Sequence, residues 1–594
     1  MNKLIIATAV AGLASVTHSA ANTSIENGQE FSPETLAMLN PSRIATTTCN
    51  SPLGNDALRA RLILAAATSE TGTGEAMPLY DGVPESGLAA TTDSEEARRY
   101  FDQGIMLLYG FNHHGAIRSF QEAQRIDPEC ALCFWGEALA YGPNINAPMD
   151  AGTNDTALAA VARAVALRDG TSPAEQALID AIAVRYSADT VESRSALDMA
   201  YAEAMLDAAA RFPESDDIAV LAAEAAMDTS PWDYWEPGRE TPRGRTGDAI
   251  RLVETVLARN LAHPQAAHLY IHLMENNADP TRAEAAADRL TAFIAPSAGH
   301  LVHMPAHIYY RIGRYADSIR VNIEAARADE AYLESAGDDG IYRYGYYPHN
   351  VHFLVTSAQM AGDMTTAIRE ATRLSQIVSP EMAEEIAWIQ PVNAAPYLAI
   401  AQFAEPERIL ALDTPQSRLP YVEAMRLYAR AVAQAQLRDR QGFEAEIAAL
   451  RQVARETDWT PMVDQGMPAP DLLRIAETVA HARYAYATGR YADAIRLYEN
   501  AIEIEQALPY TEPPYWYYPI SQSLGAAYYK AGRFDDARRA FRAALFQAPA
   551  SGWALYGLAL TEQALGHEPE AAAAEAALHR AWTGNPLWLR MDRI

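Results

Sequence analysis

Eight of the 14 histidines fall between His263 and His352, and their spacing puts potential ligands on shared helix faces. His268, His272 and Glu275 stand at i, i+4 and i+7, and His300, His303 and His307 at i, i+3 and i+7. His349 and His352 stand at i and i+3. At about 100° per helical residue, each group covers one narrow face. Imidazole and carboxylate without thiolate suit a transition metal, copper first, with zinc or iron as alternatives. Seven His and one Glu exceed what a single ion needs. Two ions, or one ion with an outer shell, is the count they imply. Several imidazoles per ion over two ions is the pattern of a dinuclear copper arrangement. The alternative is a polar groove that binds a peptide. His113, His114, His481, His567 and His579 are scattered, and His263 precedes a proline that starts a helix.

The elements that position these residues are helical repeats. Gly104, Ala116, Phe120, Ala123 and Pro128 are separated by 12, 4, 3 and 5 residues, and Gly525, Ala537, Phe541, Ala544 and Pro549 repeat that spacing. This is the pattern of the 34-residue tetratricopeptide unit. Small residues let paired helices approach, Phe fills the gap between them, and Pro ends the second helix. Gly313-Arg314-Tyr315, Gly489-Arg490-Tyr491 and Gly532-Arg533-Phe534 mark further turns, and Gly362 and Gly566 weaker ones. No alternating Val/Ile/Thr runs appear, so the expected fold is all-α: a right-handed tetratricopeptide solenoid of helix-turn-helix units over 93–594. The histidine-rich units occupy about 264–380.

The repeat register assigns a face. With the turn glycine at position 15, His300, His303 and His307 take positions 2, 5 and 9, and His349 and His352 take 2 and 5. Aligning Ala283 with the small position puts His268, His272 and Glu275 at 5, 9 and 12. In tetratricopeptide proteins these positions line the concave groove. The first unit has Arg98, Phe101, Ile105, Leu108 and Tyr109 there, with no histidine. Tyr310, Arg311 and Asn276 fall in groove slots of the loaded units. Arg311 is expected either to anchor a carboxylate of a substrate or to pair with Glu275. Tyr347, or its neighbour Tyr346, leads into His349 and is expected to border the site.

Three aromatic and amide-rich segments stand out: Trp135 to Met149, Pro231 to Glu236, and Pro513 to Pro519, which includes Trp516. They suit either pocket walls or packing between repeats. Serine-hydrolase, P-loop, dinucleotide and HExxH signatures are absent. Cys130 and Cys133 are disulfide candidates, with Cys49 as the third cysteine. Lys3, the apolar run Leu4 to Val16, and small residues at Ser19 and Ala21 read as a signal peptide over 1–21, cleaved after Ala21. The expected location is periplasmic or secreted. Residues 22–92 read as a tail with little regular structure, with a short helix over Asn55 to Ala67 and a Thr92–Glu95 capping box at its end. The net charge of −29 argues against nucleic acid and anionic membranes and draws cations toward any groove. No second long apolar run follows, so no membrane insertion is expected.

Segments such as CALCFWGEALAYGPNINAPM, HLYIHLMEN, GHLVHMPAHIYYRIGRY, YYPHNVHFL and EPPYWYYPISQSLGAAYY give the chain a specific likeness. It resembles a family of bacterial secreted tetratricopeptide proteins of unassigned function, over about residues 95 to 565. The resemblance implies that these segments belong together and names no reaction. The expectation is an exported solenoid with a His/Glu metal site in its concave groove. That site would make it a copper-type oxidoreductase acting on a small molecule or peptide. A partner-binding scaffold and a metal-handling protein are the alternatives.

Overall fold

The computed structural model describes residues 77–594 apart from 189–192, 293–297, 337–341, 386 and 412–416. The expected signal peptide over 1–21, the helix expected over Asn55 to Ala67, and Cys49 lie outside these. Among the described residues regular structure is helical, and the only β pairing is an isolated bridge between Trp235 and Pro242. The chain is a helical-repeat solenoid.

Antiparallel helix pairs repeat along it, and the reason is visible in the small residues. Helix Glu95–Tyr109 pairs with His113–Ile126, and Ile520–Lys530 with Phe534–Gln547. The Phe120 ring is wedged between Gly104 and Gly136, where an added Cβ would sit 2.5 and 2.6 Å from it. Phe541 is held the same way between Gly525 and Gly557, at 2.8 and 2.2 Å. These glycines are therefore required by the aromatic wedge. The turn glycines have a different cause: Gly313, Gly489 and Gly532 hold φ of +80°, +77° and +74°, the left-handed region that glycine adopts without strain. Gly104→Ala is expected to cost about 1–3 kcal/mol by overpacking. The thermal midpoint checks this, and adding Phe120→Leu should recover part of the loss. An unchanged midpoint would mean that the wedge does not hold the helices together.

Residues 77–92 form no helix but are packed rather than tail-like. Met77 and Leu88 are buried, and the Ser86 amide and hydroxyl donate to Asp102 Oδ1 at 3.0 and 2.6 Å. The helix cap is Ser94, not Thr92: Ser94 Oγ accepts from the Ala97 amide, while Thr92 donates to Asp127. The histidine-bearing helix expected around His300 is interrupted, forming Gly299–His303 and Pro305–Arg311. Pro305 has no amide proton for the regular ladder, yet the histidines stay on one face.

Both ends of the solenoid close over the central units. The Trp553 indole donates to the Gln359 carbonyl at 3.1 Å, and the Thr583 amide to the Ala361 carbonyl at 2.9 Å. The Trp582 ring covers Gly362. From the other end, Arg118 donates to the Ala336 carbonyl at 2.8 Å, and Tyr332 to Asn112 at 3.3 Å. The expected open groove is thus roofed at the histidine units, and His268 and His303 are fully buried. Among the described residues no helix is long and apolar enough to cross a membrane.

Candidate metal centre

Helix Pro264–Glu275 carries His268 and His272 one turn apart, and Gly299–His303 brings His300 across to them. One ligand atom from each of the three lies within 4.8 Å of the others. Phe111 roofs this first set, its ring 4.6, 5.9 and 5.4 Å from those of His268, His272 and His300. Trp232 meets His272 edge-on at 5.3 Å. Phe111 and Trp232 hold φ of +56° and +64°, conformations that residues with a Cβ adopt only when their surroundings impose them.

The outer nitrogens of this set face acceptors. His268 Nδ1 is 3.0 Å from Gln265 Oε1, and the Gln265 amide nitrogen donates to Glu224 at 3.0 Å, which turns its oxygen to the ring. His272 Nδ1 is 2.7 Å from Glu275 Oε1. Each Nδ1 therefore carries the proton, and each Nε2 presents a lone pair inward. The Tyr109 carbonyl lies beside the His268 ring, and among the described residues neither His268 Nε2 nor His272 Nε2 meets a partner in hydrogen-bond geometry. Both nitrogens of His300 are likewise buried and have no hydrogen-bond partner among the described residues.

His303, His307 and His349 form a second set, again within 4.8 Å. His303 Nε2 lies 2.7 Å from His307 Nε2 and 3.1 Å from His349 Nε2. His303 Nδ1 is 2.6 Å from Asn322 Oδ1, and Asn322 is oriented by its own amide donating to the Ser318 carbonyl at 2.9 Å. His307 Nδ1 donates to Glu275 Oε2 at 2.7 Å and to Glu512 Oε2 at 2.5 Å. Glu275 thus joins the sets, one oxygen on each. Ring centroids of His272 and His307 are 5.9 Å apart, and those of His300 and His303 6.1 Å.

Burial, and then the charge of a neighbouring imidazole, holds His268, His272, His300, His303 and His349 well below the ordinary histidine range. These rings are neutral at neutral pH. His307 is the exception. Burial opposes its charge, but Glu275 and then Glu512 outweigh it and push the ring up to about 10. Burial, and then the charge of Glu275, pushes Glu512 up to about 8. Without metal, His307 therefore carries two protons, and its Nε2–H donates to the His303 lone pair.

The remaining candidates divide. Tyr310 packs against Phe353, whose ring lies 4.8 Å from that of His307. Arg311 donates to the backbone carbonyl of Glu275 at 2.9 Å, not to its carboxylate, and lies over the Tyr510 ring. Asn276 ends the Pro264–Glu275 helix with a buried, unpartnered Oδ1. Tyr346, not Tyr347, borders the first set, 4.8 Å from His300. The Tyr347 hydroxyl turns away to Glu330 and Arg373. Trp516 packs among Tyr428, Tyr517 and Tyr518, with its ring edge-on or tilted to theirs, and is absent from the centre. His352 joins neither set and lines an adjoining cavity. Cys130 and Cys133 form a disulfide at the start of helix Ala131–Tyr141.

Sequence reasoning missed Asn322, Gln265's orienting role and Phe111; Trp232 and Glu512 lie in segments that it singled out, with no role given to either residue. Asn322 left a signal: a polar residue one turn beyond Ser318 on the packing side of a second helix. Glu512 opens the segment EPPYWYYPISQSLGAAYY, but its approach to His307 is made only by the closure of the solenoid. If Asn322 orients His303, Asn322→Leu should weaken metal binding at the second set about 10–100-fold. The check is metal-buffered titration, and affinity unchanged within a factor of two would remove that role.

Residues 485–557 match the tetratricopeptide repeat family model, spanning the turns at Gly489 and Gly532. No curated relative matches the sequence. Among solved structures, a human IFIT1 dimer with m7Gppp-AAAA is 12% identical, with 83% of this chain and 96% of that one covered and a TM-score of 0.30. Yeast Tom70 is 13% identical, with 83% and 98% covered and a TM-score of 0.22. The P58(IPK) tetratricopeptide domain is 13% identical, with 84% and 96% covered and a TM-score of 0.20. No ligand or activity passes to this chain from overlaps this loose.

Proposed function

We propose that this protein is an exported metalloprotein holding two transition-metal ions, copper first, one on each three-histidine set, and that it acts as an oxidoreductase. One observation carries the reading. Gln265, Glu275 and Asn322 occupy the outer nitrogens of His268, His272 and His303. Lone pairs are thereby forced into buried space that holds no donor for His268 and His272. Buried polar atoms normally have partners. A cluster of inward lone pairs lacks only a cation, and outer hydrogen bonds that fix the tautomer are what metal-bound histidines carry.

Copper is favoured because both sets are all imidazole, with carboxylates only on the outer nitrogens, and copper(II) binds such donors more tightly than the other divalent first-row ions. A pair of such ions supplies one-electron redox chemistry and a place for O₂. The chain supplies the rest: Phe111 and Trp232 exclude water, Glu275 couples the two sets, and the His307 cluster stores a proton. Burial of all six rings to a few per cent or to partial exposure supports a resident metal over one passed to partners. Export rests on the N-terminal pattern of Lys3 and Leu4 to Val16, with the Cys130–Cys133 disulfide in keeping with an oxidising compartment. A partner-binding scaffold is the second reading, and the repeat architecture favours it.

Elemental analysis separates the two. Purified, unchelated protein is expected to carry one to two equivalents of copper or zinc per chain, or to take them up on titration. Less than about 0.2 equivalents, with no site for Cu(II) or Zn(II), leaves only the scaffold.

A further inference from the structure

A cavity opens beside the second histidine set, with His349, His352 and Glu512 among its lining residues. Its cavity volume is about 110 Å³, which limits an occupant to a small molecule. The rest of the lining is largely apolar and includes Tyr421, Tyr517, Val392, Leu398 and Met467. Pro391, Pro513 and Pro514 stiffen it.

The chemistry of the lining restricts the occupant. No Lys or Arg lines the cavity, so nothing there compensates a carboxylate or phosphate. Its one carboxylate, Glu512, is already engaged, accepting from His307 Nδ1 and from the Tyr510 hydroxyl. A cationic amine therefore finds no free counter-charge. His352 is half-buried, lines the cavity, and has no hydrogen-bond partner among the described residues. An uncommitted imidazole on an aromatic wall suits a ligand hydroxyl.

We infer that this cavity binds a small uncharged phenol, its ring against Tyr421 and Tyr517 and its hydroxyl donating to His352. The inference rests on the metal reading for its consequence, because His349 belongs to both cavity wall and second set. Binding itself is independent of the metal and can be read without it.

The test uses the full chain in two forms, dialysed against chelator and copper-loaded. Calorimetric titration compares 4-methylphenol, benzoate and benzylammonium. Saturable 4-methylphenol binding is expected in the chelated form, at least tenfold tighter than benzoate or benzylammonium. His352→Phe, which keeps the ring's bulk, should weaken it about tenfold while circular dichroism and copper uptake stay unchanged. Leu398→Trp should block it by filling the cavity. No saturable binding in either form overturns the inference, even if two coppers load. Equal or tighter binding of benzoate or benzylammonium overturns it too, as does an unaffected His352→Phe variant. Phenol binding that His352→Phe weakens, in a chain that takes up no copper, supports the cavity and defeats the metal reading instead.

Discussion

His272→Ala and His303→Ala are each expected to lower bound metal from two equivalents to one, and the double variant to none. Each substitution removes one of three imidazoles from a different set and leaves the other set whole. A buried site with two imidazoles retains too few donors to hold an ion against dialysis. His352→Ala and His481→Ala should keep both equivalents, since His352 faces the cavity and His481 packs against Phe443, far along the chain from either set. Elemental analysis of dialysed protein gives the counts, and circular dichroism confirms the fold. Loss of both ions from either single variant would mean one ion shared across the sets. Equal effects in all four variants would remove the centre altogether. Loaded protein should also melt higher than chelated protein, because an ion bound only by the folded chain stabilises it.

How much of this was legible depended on whether a feature is local. The wedge and turn patterns, Gly104 with Phe120 and Gly313 with Arg314, need only a helix pair, so spacing alone revealed repeats. The histidine faces followed from helical period and repeat register as three groups, one per unit; the structure regroups them across helices, His300 with His268 and His272, and His349 with His303 and His307. His352 shares the face of His349 by spacing, but one helical turn carries it beyond reach of the second set. Tyr346 and Tyr347 are adjacent, and a π-helical turn over Tyr342–Tyr346 decides which of them points inward. The roof was hidden entirely. Trp553 on Gln359, Glu512 on His307 and Phe111 on His268 all depend on how far the solenoid curls. Curl is the sum of small rotations between units, and the irregular stretches between 140 and 260 and between 380 and 470 have no period from which to read it.

The two sets should also respond differently to pH. In the first, burial holds all three imidazoles well below the ordinary range, so they are neutral above about pH 6.5 and an ion displaces no proton. In the second, Glu275 and Glu512 overcome burial and hold His307 protonated up to about pH 10. Its Nε2 proton occupies the space an ion needs, so binding must expel it. The sign follows: raising pH removes the competitor, and affinity at the second set rises about tenfold per unit until His307 deprotonates on its own. The first set stays flat over the same range. Glu512 itself titrates near 8, so the one-proton slope is cleanest from there upward. Metal-buffered titrations at pH 8, 8.75 and 9.5 should resolve one pH-independent and one rising affinity. Glu512→Gln removes one of the two carboxylates that hold the proton, so it should shift the plateau to lower pH and tighten the second set at pH 8. His303→Ala should abolish the rising phase alone, and His272→Ala the flat one. Two flat affinities, or two that rise together, would show that His307 does not guard the second set with a proton.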